Sequence, residues 1–389
     1  MRSARFALPL LVLVAALSAL LVLVLSRTSP HTPRPGDDAE LRPGETAPGQ
    51  SGTGALAAQN ERRGLTEAQW RKARRESETA DDAPPTRVPW VHRLLSPDAG
   101  TPLEEDAVRA WVEAGHTNVE DLLAARQAGG GSEFLQRALE LFPKDPRVLF
   151  ASTALKSTPE EQRERLERFK DAAPSNSLAN YLSAWNEFKA GNPEKALEEL
   201  AVATTKSEFN DYTAEAWENT EKLLLAHGMS DAEAKALSGS SLLLPHLAQL
   251  KEVTRGLLDV RAEALAAGDQ AGAERITQLG LHLGQQLADG PGSMTLIGEL
   301  VGLTLERIIL RDVPPDTELP YLQKSAGEVL STVDTRRAST RESSQTFETW
   351  VRGASEPEIL EYFQRLKSES ESAALRWIRE QPSPPAPAP

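Results

Sequence analysis

The sequence predicts an all-α protein, in which a helical body follows one N-terminal membrane-spanning helix and a disordered tether. Four observations favour this fold class. Residues 6–25 form an uncharged apolar segment, and Pro, Gly, Ser and Thr dominate residues 27–100. From residue 101 onward, runs rich in Ala, Leu and Glu recur with the 3.6-residue spacing of amphipathic helices. Alternating β-branched and aromatic residues, which are typical of strands, are missing from the sequence.

Composition excludes several kinds of chemistry. The chain has 389 residues, a net charge of −14 and no cysteine. Without cysteine there are no disulfides, no thiolate metal sites and no cysteine nucleophile. The acidity argues against nucleic acid as a partner, because such binding depends on Lys and Arg that neutralise phosphates. The sequence predicts no cofactor, no metal site and no small-molecule substrate.

The first apolar segment is long enough to anchor the chain in a membrane. A spanning helix needs roughly 20 apolar residues, which the segment 6–25 provides. Arg2 and Arg5 precede the segment and favour a cytoplasmic N-terminus. Residues 1–26 are therefore expected to form an anchor, with the body on the extracytoplasmic side, in a bacterial inner membrane and periplasm. The alternative is a signal peptide cleaved after Ser26, which would release a secreted form.

Residues 27–100 have the composition of a disordered tether, because so few apolar side chains cannot offset the chain entropy lost on folding. Residues 1–26 contribute a charge of +2 and the tether is neutral. The remaining residues, from 101 onward, therefore carry −16, which gives the net charge of −14. One short helix is predicted within the tether, at 65–78, where Thr66 and Gln69 resemble a capping box. Its basic side chains either contact anionic lipid or are simply solvated.

The body, residues 101–380, is predicted to contain ten to twelve helices of 10–20 residues. Helix starts carry recognisable capping residues, in which a Ser, Thr or Asn precedes a Pro or an acidic residue of the first turn. These predicted N-caps are Thr101, Thr158, Asn192, Ser230 and Ser355. The Pro- and Ala-rich end of the chain, 381–389, is predicted to be a disordered tail.

One pair of predicted helices resembles a tetratricopeptide repeat. Small residues lie where two antiparallel helices would approach closely, a glycine occupies the turn, and the second helix continues the pattern: Ala184, Gly191, Ala196, Leu200 and Ala203. The resemblance covers residues 130–205, and the closing proline is absent, with Glu208 in its place. It implies stacked helical hairpins, arranged as a superhelix or solenoid, that bind a protein or peptide in a concave groove. It implies no catalysis.

The same resemblance identifies a candidate binding face on the first helix of this repeat. Tyr181, Trp185 and Phe188 recur at i, i+4 and i+7, and the family pattern directs such positions toward the groove. Asn180 and Lys189 would add polar groups beside this aromatic face. The alternative is ordinary core packing of the three aromatic side chains against a neighbouring hairpin.

The remaining sequence signals favour a binding protein over an enzyme. Residues 296–310 are the most apolar part of the body and contain Gly298 and Gly302, which predict a buried central helix. No short catalytic motif is present in the sequence. We therefore expect a membrane-anchored scaffold or adaptor with a protein or peptide partner. The alternative is an envelope enzyme, or an enzyme-associated domain, with a carboxylate site that no short motif reveals.

Overall fold

A computed structural model describes residues 88–95, 102–129, 131–290 and 295–381. This part of the chain is almost entirely helical, which confirms the predicted all-α class. The predicted anchor, the short helix at 65–78 and the tail beyond residue 381 lie outside the described residues. None of the described helices has the combined length and apolar character that crossing a bilayer requires.

The described residues form sixteen helices and one minimal hairpin of two strands. The first eight helices are α1 Val91–Leu95, α2 Glu105–Glu113, α3 Val119–Ala128, α4 Ser132–Leu141, α5 Pro146–Ser152, α6 Pro159–Ala172, α7 Leu178–Lys189 and α8 Pro193–Ala203. The others are α9 Thr213–Ala226, α10 Asp231–Ser240, α11 Pro245–Ala266, α12 Gln270–Asp289, α13 Leu296–Leu310, α14 Ala326–Gly353, α15 Glu356–Ser368 and α16 Glu371–Glu380. Strands β1 Glu318–Leu319 and β2 Lys324–Ser325 pair antiparallel just before α14.

The end of the predicted tether belongs to the folded body, which corrects its boundary. Val88, Val91 and Leu94 are all buried, and they pack in a cluster with side chains of α10 and α14 to α16. Val91 and Leu94, three residues apart, share one face of the short helix α1, and Val88 precedes that helix. Burial of that face offsets the chain entropy that the surrounding composition cannot offset by itself.

The predicted helix starts are correct in part. At α6, the Thr158 hydroxyl accepts from the Glu161 N–H at 3.2 Å and the Glu161 carboxylate accepts from the Thr158 N–H at 2.9 Å, which completes the capping box. The start predicted at Thr101 is wrong, since α2 begins at Glu105. The reason is that the Leu103 N–H donates to the Ala128 carbonyl and ties this segment to the end of α3.

The body contains more helices than predicted, fifteen between residues 105 and 380, with lengths from 7 to 28 residues. The longest, α14, continues through a segment rich in Ser and Thr, which are weak helix formers. Along α14, hydroxyl groups donate to the backbone carbonyl four residues earlier, so they add to the helix ladder. Helix propensity and spacing in the sequence therefore predict too few helices and too narrow a range of helix lengths.

The hairpin that carries the repeat resemblance is present as α7 and α8. Ala184 and Ala196 are fully buried between the two helices, which lets their backbones approach closely. Gly191 has a φ of 77°, a left-handed conformation that a side chain would strain, and it turns the chain into α8. Asn192 does not cap α8 through its side chain, since its amide instead donates to Glu187 at 2.8 Å.

Helix α13 is buried as predicted and packs on α12 along a seam of small residues. A Cβ added at Gly302 would lie 2.5 Å from the Gly284 carbonyl oxygen and 2.5 Å from the Ala288 amide nitrogen. The two backbones therefore meet at a distance that only glycine permits at this position. The small-residue spacing seen in the sequence serves the interior of the helical body.

Helix packing is not restricted to sequence neighbours. Helix α9 packs against α3, α10 packs against α15 and α1, and α11 packs against α7. In a simple repeat array each unit would contact only its neighbours. Helices α3 and α9, in contrast, are about 100 residues apart in the sequence and pack directly against each other. This packing differs from that of a plain stack of hairpins.

Candidate functional site

The aromatic face predicted on α7 lies largely inside the protein. Tyr181 is 1% exposed, and its hydroxyl lies 2.9 Å from Nδ1 of His282 on α12. Asn180 is also buried, and its amide donates to the Glu199 carboxylate at 2.7 Å. Burial lowers the pKa of His282, so the ring is neutral at physiological pH and can share one hydrogen bond with the phenol. These two residues cannot line an open groove.

Helix α11 covers the same face of α7 near its C-terminal end. A Cβ added at Gly256 of α11 would lie 2.7 Å from the Phe188 ring, so the two helices meet at the glycine. Core packing, the alternative for these aromatic residues, thus describes Tyr181 and Phe188. Trp185 is half-buried and Lys189 is exposed, with the lysine Nζ 5.0 Å from the centroid of the indole ring. Phe188 is half-buried as well, and both aromatic side chains pack against the core, so Lys189 is the one predicted residue that is exposed, with the half-buried Trp185 beside it.

A different feature, a polar cleft of about 540 Å³, lies where the end of α12 meets α13, α14 and α16. Its volume is within the range of roughly 300–1,000 Å³ that ligand sites occupy. Its lining is dominated by charged and hydroxyl side chains. The charged residues that line it are Asp289, Glu299, Arg336, Glu369, Glu371, Arg376 and Arg379, and the hydroxyl residues are Thr295, Ser339, Thr340, Ser343, Ser370 and Ser372.

One end of the cleft is acidic. Arg336 forms ion pairs with Asp289 at 2.9 Å and with Glu299 at 3.1 Å. The Ser372 hydroxyl donates to the second Glu299 oxygen at 2.5 Å, which fixes this carboxylate between α14 and α16. Asp289 and Glu299 therefore share a single guanidinium at this end, and the neighbouring Glu371 forms no ion pair with a described residue.

Glu371 joins two helix starts at the acidic end. One of its carboxylate oxygens accepts from the Leu296 N–H at 2.5 Å, at the N-terminus of α13, and the other lies 3.4 Å from the Tyr362 hydroxyl. Burial raises the pKa of Glu371 to about 7, and the neighbouring Glu299 carboxylate adds to that effect. Near neutral pH the group can therefore either donate or accept a proton.

The other end of the cleft is basic. Arg376 and Arg379 lie three residues apart on α16, are exposed, and form no ion pair or side-chain hydrogen bond with any described residue. Glu369, which precedes α16 and also lines the cleft, pairs with Arg365 at 3.6 Å. Ser339, Thr340 and Ser343 share one face of α14, which forms the wall opposite α16.

The sequence contains no local pattern that reveals this cleft, since its charged residues are spread from position 289 to position 379. The only local signal is the helix start at Ser370, whose hydroxyl accepts from the Ala373 N–H at 3.2 Å. Comparison with known proteins yields no match: no protein-family model, no curated protein and no solved structure is significantly similar to this chain.

Proposed function

We propose that the chain is a membrane-anchored scaffold or adaptor of the cell envelope that binds a protein partner. Residues 6–25 would hold it in the membrane, with the body on the extracytoplasmic side. The proposal includes a tetratricopeptide-like relationship for α7 and α8, whose close contact at Ala184 and Ala196 and turn at Gly191 support it.

The observation that carries this proposal is the surface pair Trp185 and Lys189 on α7. The indole is half-buried and its position is restrained by the lysine ammonium over its ring. Tryptophan side chains held in this way are enriched among the residues that dominate binding energy, because they offer a large rigid surface at little entropic cost. The partner would cover this edge of the hairpin.

Site-specific photo-crosslinking in intact cells tests the proposal. A photoreactive amino acid at position 189 should form a discrete adduct with one protein, and Trp185→Ala should reduce the yield of that adduct. The same amino acid at Lys144, an exposed residue outside the hairpin, is the control position. Two results would contradict the proposed interface. One is an equal yield of adducts at positions 189 and 144, and the other is an adduct yield that Trp185→Ala leaves unchanged while circular dichroism shows an intact fold.

A second candidate, an envelope enzyme, is favoured by one observation. Glu299 and Glu371 meet in a cleft, and the raised pKa of Glu371 suits a general acid or base near neutral pH. In that case the purified protein should modify or cleave the crosslinked partner, detected by intact-mass spectrometry, and Glu371→Gln should abolish the change. A partner whose mass stays unchanged would favour the scaffold.

A further inference from the structure

The polar cleft separates its charges along its length. Arg336, Glu299 and Ser372 meet at the acidic end, whereas Trp377, between the two arginines of the basic end in sequence, contacts Trp350 edge to face with ring centroids 6.0 Å apart. Helices α14 and α16 therefore run in the same direction along the two walls. At 1.5 Å per residue, Arg376 and Arg379 lie about 8–12 Å along α16 from Glu371.

The basic end lacks a partner for its charges. The body carries an excess of acidic groups, and each of the neighbouring arginines 336, 352 and 365 forms an ion pair. Arg376 and Arg379 form none with the described residues, although both line the cleft. Guanidinium groups bind planar carboxylates through paired hydrogen bonds, so this end suits a carboxylate.

A hydroxyl group on the opposite wall is also unused. Thr340 lines the cleft, and its side-chain hydroxyl, which is accessible to solvent, makes no hydrogen bond with another described residue. This hydroxyl can therefore donate to or accept from a ligand. Together with Ser339 and Ser343 it provides donors and acceptors between the two charged ends.

The acidic end suits the opposite charge. Asp289, Glu299 and Glu371 face only one cation there, so the carboxylates outnumber the guanidinium of Arg336. An ammonium group would bind beside Glu299 and Glu371, where a second anion would be repelled. The negative charge at this end also disfavours a phosphate as the ligand of the cleft.

We propose that the cleft binds a zwitterion, with its carboxylate between Arg376 and Arg379 and its ammonium group beside Glu299 and Glu371. The rise along α16 from Glu371 to the two arginines is comparable to the length of an extended tripeptide, which spans about 10 Å at roughly 3.3–3.6 Å per residue. The ligand class is therefore a short peptide with free termini. This site is separate from the Trp185 surface, so it stands or fails independently of the proposed partner binding.

Calorimetric titration of the full-length protein in detergent tests the proposal with four probes: trialanine, N-acetyl-trialanine, trialanine amide and free alanine. Trialanine should bind, and blocking either terminus should weaken binding by about tenfold or more, the effect of losing one charge-assisted hydrogen bond. Free alanine carries both charges on one carbon and cannot reach both ends, so it should bind more weakly than trialanine.

Two variants test which end of the cleft binds each terminus of the peptide. Arg376→Gln with Arg379→Gln should abolish the preference for trialanine over its amide, and Glu299→Gln should abolish the preference for trialanine over its N-acetyl form. Arg137→Gln with Arg275→Gln makes the same charge change on exposed residues of α4 and α12 and should preserve both preferences. These preferences are ratios within one variant, so a modest loss of stability leaves them interpretable.

Three results would overturn the proposal. The first is no binding of trialanine at millimolar concentration, or binding of trialanine no tighter than that of free alanine. The second is equal binding of the zwitterion and its blocked forms. The third is an equal loss of preference in the control pair at positions 137 and 275. Adducts at position 189 would still report on the scaffold function, so failure of one proposal is distinguishable from failure of the other.

Discussion

Replacing Glu306 with Gln should stabilise the protein at neutral and alkaline pH, but not below about pH 5. Glu306 lies on α13 against α12, is 5% exposed, and its Oε1 atom makes no hydrogen bond with any described residue. Its Cγ lies 2.5 Å from the position of a Cβ added at Gly284, so the carboxyl is enclosed by the seam. Of the charged groups that act on it, Asp289 opposes its ionisation and Arg336 favours it.

The size of the effect follows from the ionisation of this carboxyl. Burial, aided by Asp289, raises its pKa from 4.5 to about 7. At about 1.4 kcal/mol for each tenfold change in the ionisation constant, this corresponds to roughly 3 kcal/mol. Below pH 4.5 the group is neutral in both the folded and the unfolded state. Between pH 4.5 and 7 only the unfolded state ionises, so stability is lost as pH rises and stays low above pH 7.

Urea unfolding followed by circular dichroism, from pH 4.5 to 8.5, measures the difference between Glu306→Gln and the wild type. The unfolding free energy of the variant relative to the wild type should rise by about 3 kcal/mol across this range. Glu371 titrates in both proteins and cancels in the difference. Glu263→Gln, an exposed change on α11, should show no such rise. A difference that stays constant or falls with pH would refute the reasoning.

Three further outcomes are expected. Gly302→Ala should lower the unfolding free energy by about 1–3 kcal/mol despite the better helix propensity of Ala, because its Cβ would meet the backbone of Gly284 and Ala288; an unchanged urea midpoint would contradict this contact. Thr158→Ala should cost about 1 kcal/mol through loss of the capping box, measured by thermal unfolding, whereas no shift would show that the cap is redundant. If residues 6–25 anchor the chain, carbonate washing should leave the protein in the membrane with its leader intact by N-terminal sequencing, and release into the soluble fraction would disprove the anchor.

The sequence predicted those elements whose determinants are local. The capping box at Thr158 and the turn at Gly191 depend on residues within one or two helical turns, and both are present in the structure. The burial of α13 follows from its unusually apolar composition. The start expected at Thr101 failed, because a contact with Ala128, 25 residues beyond Leu103, decides the path of that segment.

The candidate sites depend on long-range packing, which no local pattern reveals. Tyr181 and Phe188 have the spacing of a groove-lining face, but α11 covers that face about 70 residues later in the chain. The cleft requires Glu299 to meet Ser372, which lies 73 residues away. In each case the tertiary contact decides whether a side chain is exposed, and the same sequence spacing is compatible with either outcome.

The pairing of α3 with α9 affects how the chain emerges during synthesis. The apolar side chains Leu122 and Ala125 of α3 are fully buried, in a cluster that includes Leu223 and Leu224 of α9. About 100 residues must be translated before α9 can cover them. At roughly 5–20 residues per second this delay lasts about 5–20 s. During that interval the part of this cluster that α9 covers in the folded protein is exposed on the nascent chain.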